Sequence, residues 1–123
     1  MLKIQTKVKT KTITNKDEVF KDSDFSGVEF SVDIKELKYD ELMAIEKASE
    51  KTDDMKAMMK KFLSSQIISW TGFCDEDDKE IPFSKKASDE IFDYTGNYDF
   101  AVKLVEAIQL AFIDVKEEEL KKK

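Results

Sequence analysis

The chain contains no histidine and no arginine; all 21 of its basic residues are lysine. Without histidine there is no imidazole to act as a base, to activate a nucleophile or to hold a metal ion. Without arginine there is no planar fork to clamp a carboxylate or a phosphate. The single cysteine, Cys74, allows no internal disulfide. Three glycines, Gly27, Gly72 and Gly96, are too scattered to build a phosphate-binding loop. Long apolar runs are missing too. The longest, over residues 100–115, is broken by Lys103, Glu106, Gln109 and Asp114, which makes it too short and too charged to span a bilayer. Residues 1–16 alternate lysine with apolar and threonine positions instead of forming the apolar stretch of a secretion signal, so a soluble cytoplasmic protein is expected, with no membrane partner.

What is present fits one domain of 123 residues, here taken as a β-hairpin region (1–34) and a helical region (35–123). Apolar residues make up 41% of the chain, enough for a core even though 39% are charged. The net charge of −6 hides an asymmetry. Residues 1–16 carry five lysines and no acid, leaving 16 lysines against 27 acids in the remainder. An acidic body repels phosphates, so no nucleic-acid partner is expected.

Residues 2–14 alternate with period two: Leu2, Ile4, Thr6 and Val8 share one face, and Lys3, Gln5, Lys7 and Lys9 share the other. That pattern predicts a half-buried strand whose lysines discourage edge-to-edge association. Val28, Phe30, Val32 and Ile34 predict a second strand, antiparallel to the first. From Leu37 the period becomes helical, through Leu42, Met43, Ile45 and Ala48 to about Ser49. Thr52-Asp53-Asp54 reads as the start of a second helix. Its apolar stripe is Met55, Met58, Met59, Phe62, Leu63 and Ile67, with Lys56, Lys60 and Lys61 pointing away. Ser84 is a natural N-cap for a third helix running to about Tyr94, and Gly96 for a left-handed stop. The last helix begins near Asn97 or Tyr98 and is apolar almost all round, which places it in the core or against a partner. The Glu117–Glu119 and Lys121–Lys123 runs offer helical i, i+4 pairs. The expected fold is α+β: an N-terminal antiparallel hairpin packed on three or four helices.

Between the second and third helices lies the most distinctive stretch. It holds the only Trp, the only Cys and the only Pro, in Ile67-Ile68-Ser69-Trp70-Thr71-Gly72-Phe73-Cys74-Asp75-Glu76-Asp77-Asp78-Lys79-Glu80-Ile81-Pro82-Phe83. Trp70, Phe73 and Phe83 are expected in the core, and Asp75–Asp78 at an exposed turn. A calcium loop starting at Asp75 would need Gly sixth and Glu twelfth, but Glu80 and Lys86 stand there, so no metal is expected. Cys74 has no histidine to activate it, and the acids that follow disfavour its thiolate. With 27 acids, a pair of carboxylates is no catalytic signal. No catalytic residue and no cofactor are expected, and the chain reads as a binding protein. The methionines suggest an adaptable contact surface, but their spacing is that of a buried stripe, and ordinary core filling is the favoured reading.

Ile67-Ile68-Ser69-Trp70-Thr71-Gly72-Phe73, Asp75-Glu76-Asp77 and Ile81-Pro82-Phe83-Ser84 resemble a stretch of small phage and prophage tail proteins of the tail assembly chaperone type. In those proteins a helix precedes the Trp, and a short helix and an Ala/Leu/Ile-rich last helix follow the Pro. Asp89-Glu90-Ile91-Phe92 and residues 100–112 occupy those places, and Phe30 to Leu37 is similar to their strand into the first helix. The likeness covers residues 28–115. It departs at Asp78, where Gly is usual, and in the lysine-rich first strand, which has no counterpart. The resemblance implies a non-enzymatic chaperone, in the host cytoplasm, that binds tape-measure or tail tube protein and keeps its apolar surface soluble until the tail polymerises. The candidate contact residues are Met55, Met58, Met59, Phe62, Leu104, Ile108 and Phe112. Alternatives are an acidic adaptor or inhibitor of a basic or nucleic-acid-binding partner, and a structural minor tail protein; self-association is open in each case.

Overall fold

A computed structural model describes the backbone of residues 1–50 and 55–121, and the side chains of 1–47 and 56–112. The proposed helix start at Thr52-Asp53-Asp54, the side chains of Ala48, Ser49 and Met55, and the Glu–Lys pairs at 117–123 lie outside the described side chains. The architecture is α+β. Strands β1 (Thr10–Thr14), β2 (Ser31–Lys35) and β3 (Ile67–Thr71) form an antiparallel sheet in the order β1-β2-β3. Helices α1 (Tyr39–Glu50), α2 (Met55–Gln66), α3 (Lys85–Ile91) and α4 (Tyr98–Lys121) complete it.

The expected β1–β2 hairpin is present, with Thr10 opposite Lys35 and Thr14 opposite Ser31. The first strand is shorter than its alternation predicted. Leu2 and Ile4 are 86% and 74% exposed and belong to no strand. Period-two patterning states which residues could share a face, but burial needs a neighbour, and the β1–β2 ladder runs only over residues 10–14 and 31–35. The helical region supplies the third strand. Ile67, read as the end of the α2 stripe, instead opens β3.

That strand carries a bulge. Asp33 faces Ser69 and Ile34 faces Ile67, which leaves Ile68 as the extra residue. Ile67 and Trp70 are three residues apart and would point to opposite faces of a regular strand. The bulge shifts the parity, and both are buried. They join Ile13, Val32 and Ile34 on the inner face of the sheet, against Leu63 of α2 and Ala101, Leu104, Ala107 and Ile108 of α4. On the outer face the Asp33 carboxylate accepts from the Thr12 hydroxyl at 2.6 Å and from the Ser69 hydroxyl at 2.7 Å, linking both edge strands to the central one. These two hydrogen bonds, Thr12 the stronger, hold its pKa below the ordinary value against the opposing effect of burial.

After β3 the chain passes Gly72 at φ 85°. A Cβ there would lie 2.5 Å from the Glu29 carbonyl oxygen and 2.9 Å from the Phe30 Cα, so glycine is required by both conformation and space. A short hairpin follows. Cys74 bridges Glu80, the Ile81 N–H donates to the Phe73 carbonyl at 2.8 Å, and the acidic residues form the tip, as expected. The Asp75 carboxylate accepts from the Asp77 and Lys79 N–H groups at 2.8 and 3.0 Å. Asp78, which stands where the resembled stretch has Gly, takes φ 61°, a left-handed conformation that Asp tolerates better than most residues. Pro82 and Phe83 then lead to Ser84, whose hydroxyl caps α3 by accepting the Ala87 N–H at 3.0 Å. Gly96 is not left-handed, contrary to expectation. A 3-10 turn at Thr95–Asn97 joins α3 to α4, and the Asn97 side chain donates to the Ile91 carbonyl at 2.6 Å, satisfying the end of α3 without a left-handed residue.

Candidate functional site

The aromatic residues build one continuous cluster that fixes where the helices sit. Trp70 stacks on Phe73, with ring centroids 4.7 Å apart, and meets Phe83 edge-on at 4.9 Å. Its indole N–H donates to the Ile81 carbonyl at 2.7 Å, so the one polar atom of the ring is satisfied on the return arm of the hairpin. The three residues expected in the core are therefore together, Trp70 buried and Phe73 and Phe83 half-buried against it. Phe100, near the start of α4, meets Phe73, Phe30 and Phe25 at 5.6, 5.3 and 5.2 Å. Phe20, fully buried in a 3-10 turn at Glu18–Phe20, closes the cluster on Phe30 at 5.1 Å. Phe20 was not foreseen, because it sits between two turn-like segments with no periodic neighbour. A single large apolar residue flanked by polar turns was the available signal.

Apart from Met55, whose side chain lies outside the described ones, the proposed contact residues separate into three groups. Leu104 and Ile108 are 0% and 2% exposed. They form part of the core of this chain, so as placed they offer no surface to a partner. Phe112 is half-buried near β1, with the Lys11 ammonium 5.9 Å above its ring and the same ammonium donating to the Ala111 carbonyl. Met58, Met59 and Phe62 come together with Tyr98, Val102 and Val105 of α4 in an open groove of about 340 Å³. Met59 also reaches the core, whereas Val102 is 38% exposed.

This arrangement follows from helix geometry. Residues 58, 59 and 62 lie on one face of α2, and 98, 102 and 105 on one face of α4. The neighbouring α4 face, 101, 104 and 108, is occupied by the core. The apolar residues of α4 between 98 and 108 thus serve two surfaces, one inward and one at the groove. Lys56 and Lys60, expected to point away, instead border α4 and the turn after α3. The Lys56 ammonium lies 5.1 Å from the Tyr98 ring centroid, and Lys60 pairs with Asp93 at 2.6 Å. Glu106 and Gln109 give the groove a polar margin.

A second apolar cleft, of about 250 Å³, opens at the other side of the aromatic cluster, between the segment 25–30, the hairpin arm at Phe73 and Cys74, and the start of α4. Cys74 is exposed on its margin. Among the described residues, no three His, Cys, Asp or Glu side chains gather to share a metal ion, and no helix is long and apolar enough to cross a membrane. The chain matches no family model, no curated protein and no solved structure.

Proposed function

We propose that this protein is a non-enzymatic phage or prophage tail assembly chaperone, acting in the host cytoplasm, and that it holds tape-measure or tail tube protein in the groove between α2 and α4. The observation that carries this reading is the meeting of Met58, Met59 and Phe62 with Tyr98, Val102 and Val105 on one open face. Such a groove suits an amphipathic helix, which can lay apolar side chains spaced i, i+3 and i+4 along it. Thioethers repack around differing shapes, which fits a client held only until it polymerises. The likeness of residues 67–84 to small tail proteins supports the same reading.

The test is capture of partners from cells that co-express the flanking genes, washed at low and at high salt. A long, helix-rich, tape-measure-type partner that survives high salt is expected, because apolar docking is weakly screened. A basic or nucleic-acid-binding partner that washes off would replace this reading with that of an acidic inhibitor acting through the exposed turn. Recovery of the protein in purified virions would identify a structural tail component instead.

A further inference from the structure

Leu2 and Ile4 present two large apolar side chains to solvent, alternating with Lys3 and followed by Lys7 and Lys9. The segment is anchored by Glu36. The Glu36 carboxylate accepts from the Gln5 side chain and from the Lys9 N–H at 2.9 Å, and the Glu36 N–H donates to the Lys9 carbonyl at 3.0 Å. Beyond that anchor, residues 1–4 form an apolar and basic arm. At the opposite end of the sheet, past Ser31 and Thr71, lies the cleft lined by Phe25, Val28, Phe73, Ile91 and Phe100. Val28 on its margin is 53% exposed. The segments that build this cleft are acidic. Asp22, Asp24 and Glu29 flank Phe25 and Val28, and Asp75, Glu76, Asp77 and Asp78 follow Cys74 directly. Within those segments the lysines are Lys21, which pairs with Glu18 at 3.5 Å, and Lys79; Lys16 also adjoins them, following Asn15, whose side chain donates to the Ser26 carbonyl at 3.0 Å.

The arm and the cleft are complementary in both character and charge, yet with the Gln5–Glu36 hydrogen bond in place they do not meet within one chain. From its tether at Gln5 the arm reaches Leu2 in three residues, about 10 Å when fully extended. The strand from Glu36 back to Ser31 alone covers about 16 Å, and Phe30 and Val28 lie beyond it. We propose that the cleft receives Leu2 and Ile4 from a second copy of this chain, with Lys3 and Lys7 facing the acidic margin. Donor and acceptor surfaces differ and sit at opposite ends of the sheet, so the contact is heterologous and can propagate from copy to copy. This site is separate from the groove between α2 and α4, and it does not depend on what that groove binds.

Sedimentation velocity over a concentration series tests this on the protein alone. The wild type is expected to self-associate, more weakly at high salt but still measurably, because the apolar part of the contact is not screened. Leu2→Asp and Ile4→Asp should each weaken association about tenfold, and Val28→Asp similarly, since each removes one buried aliphatic contact. All three positions are exposed in the single chain, so the melting curves should not change. Mixing the Leu2→Asp/Ile4→Asp variant, which keeps a cleft, with the Val28→Asp variant, which keeps an arm, should restore a paired species that neither forms alone. A wild type that stays monomeric throughout, or association that survives both variants, or a mixture that fails to pair, would each overturn the proposal. Assembly seen only with a different protein would also overturn it.

Discussion

The aromatic cluster and the helical groove are both built from apolar side chains, but to opposite ends. Around Trp70 every ring has a partner at a defined angle, the indole N–H is satisfied, and Gly72 lets the backbone approach Glu29 and Phe30 with no room for a side chain. In the groove, Met58, Phe62 and Val102 are only partly covered, and no hydrogen bond fixes them. The first region determines how the sheet and helices fit together. The second has apolar contacts to spare. A residue's apolar character alone therefore does not say whether it serves the fold or a partner; the completeness of its surroundings does.

Substitutions should reveal this contrast as a falling series of stability costs. Trp70→Ala removes a buried indole with three anchoring contacts and should cost about 3–5 kcal/mol, measured by chemical denaturation. A shift of under about 1 kcal/mol would mean that the cluster is not the organising centre, because surface substitutions rarely exceed about 0.5 kcal/mol. Gly72→Ala comes next, at about 2 kcal/mol, combining left-handed strain with a clash against backbone that cannot step aside. A Gly72→Ala protein with an unchanged midpoint would show that the approach to Glu29 is loose.

Asp33→Asn should cost less, about 1 kcal/mol at neutral pH, through weaker hydrogen bonds from Thr12 and Ser69. The pH dependence has a definite sign. The folded-state pKa lies below the unfolded value of about 3.9, so the contribution is complete above that value and disappears as pH falls through the folded pKa. The gap between wild type and Asp33→Asn should therefore narrow in acid. A gap that stays constant from pH 7 to about 2 would remove the carboxylate from the account.

Much of the fold was legible in local chemistry. The Ser84 cap and the acidic turn depend on neighbouring residues and are where the pattern placed them; the antiparallel partnership of the first two strands was legible too, although its ladder lies at residues 10–14 and not on the alternating Leu2 to Val8. What escaped depends on contacts distant in sequence. The bulge at Ile68 breaks the alternation of β3, so Ile67 read as the end of the helical stripe before it although it opens a strand. Leu2 and Ile4 alternate as a strand should, but the ladder they would join does not reach them. In α4 the apolar residues on every side announced a busy helix. They could not show that Leu104 and Ile108 face the core while Val102 and Val105 face the groove, because that division is set by where α2 lies. The groove itself was half legible: its α2 residues were identified, and its α4 residues were displaced by one face.

At the low end of the stability series stand the groove residues, and there the measurement that bears most directly on the central claim can be made. Met58→Asp and Val102→Asp, tested side by side for melting and for capture of the tape-measure-type partner, should change stability by no more than about 0.5 kcal/mol each, since Val102 is 38% exposed and Met58 half-covered. Capture should nevertheless be lost, because a charge in the groove cannot be buried against an apolar helix. Full capture by both folded variants would contradict the account, and would mean that this groove is not where the partner binds.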